Sequence, residues 1–160
     1  MGQKATAAGL SLVAAAVMAA AAPAAADTTG GPAAAGTCAR DFDRAIQQYV
    51  DTTDRRDAAG FNALLDQDVT AVLRLGDTFD GKREVATFIE EFFAEPGWTQ
   101  SFTVLKKVVH GCHTAFVLYD SVYADPGAGV RLHLIIGVTF THRHGRWLIV
   151  HNQDSGAPIT

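Results

Sequence analysis

The stretch VRLHLIIGVTFTHRHGRWLIVHNQD, residues 130–154, decides the fold. Every second side chain of residues 130–143 is apolar, and a period of two is typical of a β-strand with one buried face. The apolar positions are Leu132, Leu134, Ile136, Val138 and Phe140. His144-Gly145 is a turn signal, and residues 146–154 predict the returning strand. The stretch therefore predicts an antiparallel hairpin of two long strands.

The elements before this hairpin change from helices to strands along the chain. Helical spacing of apolar residues predicts three helices, at residues 38–54, 57–65 and 82–94. Three further strands are predicted at residues 69–75, 99–110 and 112–123. Because helices come early and long strands late, the order predicts an α+β fold rather than a doubly wound parallel sheet.

Three short motifs fit this order: residues 80–82 (DGK) before a helix, residues 145–151 (GRWLIVH) as the closing strand, and residues 154–158 (DSGAP) after it. With them, residues 38–157 resemble the nuclear transport factor 2 superfamily. The match is closest to SnoaL-like domains of the calcium/calmodulin-dependent protein kinase II association domain type. The resemblance implies a cone-shaped curved antiparallel sheet wrapped around three helices, the cystatin-like α+β roll.

The superfamily includes isomerases, dehydratases, cyclases and pure assembly modules, so the fold alone does not give a function. In association domains, arginines on three strands point into the cavity, so the resemblance implies arginines at the matching positions. The corresponding positions here hold Leu118, Val138 and Asp154. A carboxylate-binding site of that type is therefore not expected in this chain.

Residues 1–26 have the three-part plan of a secretory signal peptide. A positive start at Lys4 precedes an apolar run at residues 10–22, which is short for a membrane span, although an uncleaved anchor is the alternative. Residues 27–37 are rich in Gly, Pro and Ala and predict a flexible linker. Residues 38–160 then form the domain, and we expect it to be secreted without a membrane attachment after cleavage.

The chain has two cysteines, Cys38 and Cys112. Outside the cytosol an even number of cysteines predicts a disulfide. This bridge would clip the start of the first helix to the sheet. The alternative is two unconnected buried thiols.

Charge and motif content exclude several classes of function. The net charge is −4 and no basic run is present, so nucleic-acid binding is not expected. The sequence contains no phosphate-binding loop or dinucleotide fingerprint. The predicted register spreads His113, His133 and His151 too far apart to share one ion. We therefore predict neither a metal site nor a cofactor.

The apolar face of the strand at residues 130–143 should lie under the helices and line a pocket. By the predicted register, the matching residues of strand 112–123 are Phe116, Leu118, Asp120 and Val122, and those of the last strand are Leu148, Val150, Asn152 and Asp154. The predicted ligand pocket comprises Tyr49, Leu118, Leu134, Val138 and Asn152.

Two carboxylates are predicted at the mouth of this pocket. Asp120 and Asp154 would flank Leu134 from either side, about 10 Å apart. Acids over an apolar cavity suit proton transfer, and Tyr49 is the nearest hydrogen-bond donor. The alternative is that both acids are solvated at strand ends or cap neighbouring amides.

The opposite sheet face is predicted to be covered by a second copy of the chain, because aromatic and branched residues there need a partner. It would hold Tyr119, Tyr123, Ile135, Trp147, Ile149 and His151. We therefore expect a homodimer that binds a small apolar molecule.

The predicted function is a small-molecule-binding domain, with cofactor-free isomerase, dehydratase or cyclase activity as its chemistry. A non-catalytic homo-oligomerisation or interaction module is the alternative.

Overall fold

The computed structural model describes residues 32–159 and contains three helices and six strands in that part of the chain. The helices are α1 (Pro32–Asp54), α2 (Ala58–Asn62) and α3 (Lys82–Ala94). The strands are β1 (Leu65–Val72), β2 (Thr78–Asp80), β3 (Thr99–His110), β4 (Thr114–Asp125), β5 (Val130–Arg143) and β6 (Arg146–Pro158). This is the predicted α+β fold, a curved sheet packed on three helices.

The six strands form one sheet in the order β2-β1-β6-β5-β4-β3. Neighbouring strands are antiparallel except β1 and β6, which are parallel. The sheet is therefore mixed, whereas an antiparallel sheet was predicted. Turn signals reveal hairpins between consecutive strands, but β1 and β6 are far apart in the sequence and no local signal reports their pairing.

The hydrophobic core lies between the three helices and the concave face of the sheet. Phe42 is fully buried and packs edge-on against Phe140, with ring centroids 5.2 Å apart, and beside Trp147 at 5.4 Å. The Trp147 indole N–H donates to the carbonyl oxygen of Cys38 over 3.1 Å. These contacts fix the first half of α1 against the hairpin of β5 and β6.

The start of α1 corrects the predicted linker. The helix begins at Pro32, six residues before the predicted start, so residues 32–37 are helical rather than a flexible linker. Alanine has the highest helix propensity and proline is favoured in the first helical turn, and the linker prediction gave both too little weight. The predicted signal peptide at residues 1–26 and the linker before residue 32 lie outside the described residues.

The predicted disulfide is present. Cys38 and Cys112 are bonded, with Cα atoms 5.5 Å apart and a sequence separation of 74. The bond joins α1 to the tight turn between β3 and β4, where Gly111 and Cys112 both have positive φ. It therefore closes one end of the domain.

Strand β4 is offset by one residue from its predicted register, so the predicted face of β4 is wrong. Ser121, rather than Asp120, pairs with Leu134. Four residues, 126–129, separate the strands, and Asp125 pairs with Val130. A connection with an even number of residues places the odd-numbered side chains of β4 opposite the even-numbered ones of β5, whereas the prediction placed even opposite even. A shift of one residue moves every side chain to the opposite face. The inward side chains are therefore Ala115, Val117, Tyr119 and Ser121, all nearly inaccessible to solvent.

Strand β6 changes face part-way along its length because it contains a β-bulge. Phe140 pairs with Ile149, but the preceding Thr139 pairs with His151, so Val150 is the extra residue. Trp147 and Ile149 face the core before the bulge, and Asn152 and Asp154 face inward after it. The predicted inward position is correct for the second pair and wrong for Leu148 and Val150.

These two shifts change the outer face of the sheet. Tyr119, Tyr123, Trp147 and Ile149 were predicted there but point inward, and only Ile135 and His151 of the predicted set remain outside. Half-buried apolar residues take their place: Phe116, Leu118, Val122, Leu148 and Val150.

Candidate functional site

A cavity of about 280 Å³ opens between the helices and one end of the sheet. The first half of β5 lines the cavity, together with Tyr123 near the end of β4. The half of β5 near the disulfide belongs to the closed core. Its walls are mainly apolar and aromatic and include Phe61, Val69, Phe88, Phe92, Leu134 and Ile149. A concave apolar site with few polar groups is the usual form of a small-molecule site.

Three polar side chains in the cavity form one hydrogen-bonded chain. The Tyr49 hydroxyl donates to Asn152 Oδ1 over 3.0 Å, and Asn152 Nδ2 donates to Asp154 Oδ1 over 2.9 Å. The two bonds use opposite ends of the Asn152 amide and so fix its orientation. Asp154 lies on the cavity wall at the end of this chain of hydrogen bonds.

Burial makes Asp154 a weaker acid than an ordinary aspartic acid. Loss of solvation raises its pKa from 3.8 to about 6, and the hydrogen bond from Asn152 opposes this by stabilising the charged form. A carboxyl group with a pKa near neutrality can both accept and return a proton. Asp154 is therefore suited to general acid/base chemistry.

Tyr49 is held rigidly and remains a neutral phenol. Burial raises its pKa well above 10.0, and the Asp154 charge and Tyr119 raise it further. Its ring stacks on Tyr119 at 5.5 Å and contacts Phe61 at 5.2 Å and Phe102 at 5.7 Å. The hydroxyl therefore acts as a fixed hydrogen-bond donor at the end of α1.

The structure brings most of the predicted site together but not all of it. Tyr49, Leu134, Asn152 and Asp154 line the cavity as expected. Val138 points inward but is fully buried in the core beyond the cavity.

Leu118 and Asp120 were predicted in the pocket, and this is wrong. Both lie on the outer sheet face because of the one-residue shift of β4. Asp120 contacts His133 there, with 2.9 Å between its Oδ1 and the histidine Nε2. The site therefore has one carboxylate beside Tyr49 and Asn152 instead of the predicted carboxylate pair.

Sequence reasoning missed several polar residues that line the cavity, among them Gln100, Arg74 and Asp77. Gln100 of β3 donates to Ser121 Oγ over 3.1 Å, and Arg74 and Asp77 belong to the connection between β1 and β2. The Gly76-Asp77 turn signal placed that hairpin correctly. The parallel pairing of β1 with β6, which brings the hairpin to the mouth, has no comparable signal.

Neither a metal cluster nor a membrane-spanning helix emerges within residues 32–159. No group of three or more His, Cys, Asp or Glu side chains in that range is arranged to hold a metal ion. No helix in the same range is long and apolar enough to cross a membrane.

A family model for the SnoaL-like domain matches residues 46–150, about two thirds of the chain. The chain belongs to the SnoaL-like domain family. The match covers the last nine residues of α1, the hairpin of β1 and β2, and the sheet as far as the bulge. No curated protein matches the chain.

Solved structures with the same fold are similar to this SnoaL-like domain at low sequence identity. A proposed calcium/calmodulin-dependent protein kinase type II association domain from Thiobacillus denitrificans has a TM-score of 0.62 and 12% identity, covering 74% of this chain and 94% of that one. A proposed dehydratase of the NTF2-like family from Streptomyces avermitilis has a TM-score of 0.64 and 17% identity, covering 77% and 98%. An LEH-like epoxide hydrolase from M. tuberculosis has a TM-score of 0.57 and 14% identity, covering 74% and 84%. These similarities establish the fold.

Proposed function

We propose that this SnoaL-like domain binds a small, mainly apolar molecule in the cavity beneath the sheet. The observation that carries the proposal is the hydrogen-bonded chain of Tyr49, Asn152 and Asp154 inside apolar walls. Such a chain is costly to bury unless its groups are used, and it offers a ligand carbonyl or hydroxyl a fixed partner. The apolar body of the ligand would replace water in the rest of the cavity.

The proposed chemistry is cofactor-free proton transfer by Asp154. In an isomerisation, the carboxylate takes a proton from one carbon of the substrate, the double bond shifts, and the same group returns the proton to another carbon. The second N–H of the Asn152 amide, whose orientation Tyr49 fixes, would donate to a nearby substrate oxygen and support charge on it. Dehydration and cyclisation need the same kind of base. The similarity to a proposed dehydratase and an LEH-like epoxide hydrolase is consistent with this range of reactions.

A ligand screen tests the proposal. Purified wild type, Asp154→Asn and Asp120→Asn would be heated with a library of small apolar ketones, enones and alcohols. We expect some compounds to raise the melting temperature of wild type and of Asp120→Asn, which changes the same chemical group on the outer face. Asp154→Asn should lose or weaken that response. If no compound stabilises the wild type, the small-molecule proposal fails.

We also propose that the domain is exported and that its leader is removed. The support is the signal-like plan of residues 1–26 and the disulfide, which forms in oxidising compartments. Intact mass of the protein recovered from culture medium should match a chain that begins at Asp27. Retention of residues 1–26 in a membrane fraction would contradict this.

A second proposal concerns assembly, and the outer sheet face favours it. Phe116, Leu118, Ile135, Leu148 and Val150 are half-buried there without contacts from the helices. We propose that a second copy covers this face in a homodimer. Light scattering at tens of micromolar should give a dimer for wild type and a monomer for Leu118→Arg. A dimer without any ligand response would favour the non-catalytic assembly module.

A further inference from the structure

One arginine stands at the mouth of the cavity. The charged side chains that line the cavity in the described chain are Arg74, Asp77 and Asp154. Arg74 and Asp77 lie between β1, which ends at Val72, and β2. Val72 pairs with Gln153 of β6, so the β1–β2 connection begins beside Asp154. A positive group and the proposed base therefore belong to the same rim.

The guanidinium of Arg74 has no protein partner within residues 32–159. No ion pair and no side-chain hydrogen bond joins it to another described residue, although the side chain is half-buried. Two other arginines show the contrast, since Arg56 donates to the Trp98 carbonyl and Arg146 to the Ala63 carbonyl. An unpaired guanidinium over an apolar cavity is suited to a planar anion, which it can bind through two parallel hydrogen bonds.

Asp77 competes only weakly for Arg74. Its side chain is exposed and forms no ion pair with Arg74, while its backbone carbonyl accepts from the Leu73 N–H over 2.8 Å. Solvent screens an exposed carboxylate more than it screens a half-buried guanidinium. Of the two charged groups in the β1–β2 connection, Arg74 is therefore the one that acts more strongly on a ligand at the rim.

We infer that the cavity takes an apolar carboxylic acid, with the carboxylate bound by Arg74 at the rim and the apolar chain directed inward. This rests on the proposed function, since it names the class of molecule that enters the same cavity. It also differs from the arginine arrangement of the association domain, because the anion-binding group comes from the β1–β2 connection and not from the long strands. A single arginine with the carboxylates of Asp77 and Asp154 nearby favours a monoanion over a phosphate dianion.

A matched series of ten-carbon ligands tests the inference. Decanoate, decan-1-ol and decylammonium share one apolar chain and differ in the charge of the head group. Calorimetric titration at pH 7.5 and low salt should show decanoate binding about tenfold more tightly than decan-1-ol in wild type, with decylammonium weakest. Arg74→Gln should abolish the preference for decanoate while leaving decan-1-ol binding unchanged, which also shows that the variant is folded.

Arg83→Gln is the matched control. It removes the same charge from an exposed position on α3 that does not line the cavity. It should keep the tenfold preference for decanoate. Equal binding of decanoate and decan-1-ol by wild type, or tighter binding of decylammonium, would overturn the role of Arg74 and leave the pocket proposal standing. Failure of all three ligands to bind would count against the pocket itself.

Discussion

Asp154 carries an energetic cost that depends on pH. Its pKa is raised from 3.8 to about 6 by burial, so between these values the folded protein binds more protons than the unfolded chain. Its contribution to stability is fully present below pH 4 and is lost as the pH rises through 6. The difference in pKa corresponds to about 3 kcal/mol of folding free energy. An acid that is kept at such a cost is a good candidate for a functional group.

Replacing this acid should remove the pH dependence it causes. Relative to wild type, Asp154→Asn should gain about 2–3 kcal/mol of unfolding free energy between pH 4 and pH 7.5, because the amide cannot ionise while its Oδ1 can still accept from Asn152. Urea denaturation at a series of pH values measures the difference. Asp77→Asn, at an exposed position, should lack this change. Parallel curves for wild type and Asp154→Asn would contradict the burial of the carboxyl group.

The stacked pair Tyr49 and Tyr119 offers a matched comparison between two buried phenols. The Tyr49 hydroxyl donates to Asn152, whereas the Tyr119 hydroxyl is buried with no hydrogen-bond partner among the described residues. Tyr49→Phe should destabilise the fold by about 1 kcal/mol and weaken ligand binding, because it leaves Asn152 Oδ1 unpaired. Tyr119→Phe should be neutral or stabilising. Chemical denaturation measures both changes, and an equal loss in the two variants would contradict this assignment of roles.

At the scale of the elements, register decides the chemistry of the cavity. Helix α3 and strands β3 and β5 have the predicted boundaries, because apolar periodicity and Gly or Pro signals mark their ends locally. The Asp57 carboxylate caps α2 from the residue before the helix, accepting from the Gly60 N–H over 2.8 Å. The apolar face of β5 was also predicted correctly. Each of these features is set by residues within one element.

The errors arose where two elements meet. The inward face of β4 depends on the exact number of residues in the turn before β5, and that of β6 depends on one bulged residue at Val150. Both β4 faces contain apolar side chains, so the alternation in the sequence fits either register. The inward position predicted for Asp154 is correct because the bulge returns the even-numbered residues after it to the inner face. Asp120 was misplaced because no bulge compensates in β4.

Close packing of β6 against β5 gives an element-scale prediction. A Cβ on Gly156 would overlap the carbonyl oxygen of His133 and lie 2.9 Å from the Leu134 Cα. Gly156→Ala should therefore destabilise the domain by about 1–3 kcal/mol, since backbone must shift to admit the methyl group. Gly127→Ala in the turn between β4 and β5 meets only a side-chain oxygen at 3.4 Å and should change stability by less than about 0.5 kcal/mol. Thermal denaturation of both variants measures the contrast, and similar melting temperatures would contradict the packing of β6.

For the whole molecule, the disulfide is the longest-range covalent constraint. Cys38 and Cys112 are 74 residues apart, and on the chain-entropy model a loop of that length stabilises the fold by about 4 kcal/mol. The double variant Cys38→Ser/Cys112→Ser should lose about this amount in guanidinium denaturation. Wild type in reducing agent should fall to the same level, and an unchanged midpoint would show that the crosslink adds no stability.

The position of this crosslink makes the two ends of the domain mechanically unequal. Cys112 lies beside the end of β5 where His142 donates its backbone N–H to His113, while the cavity is lined by the other end, at Leu132, Leu134 and Ile136. From Leu134 to His142 the strand spans about 26 Å at the usual rise per residue. We therefore expect the proposed ligand to enter and leave by small movements of the rim while the end of the sheet at Cys112 stays fixed. The oxidation state of Cys38 and Cys112 would then set the lifetime of the folded domain, and the rim would set the rate of ligand exchange.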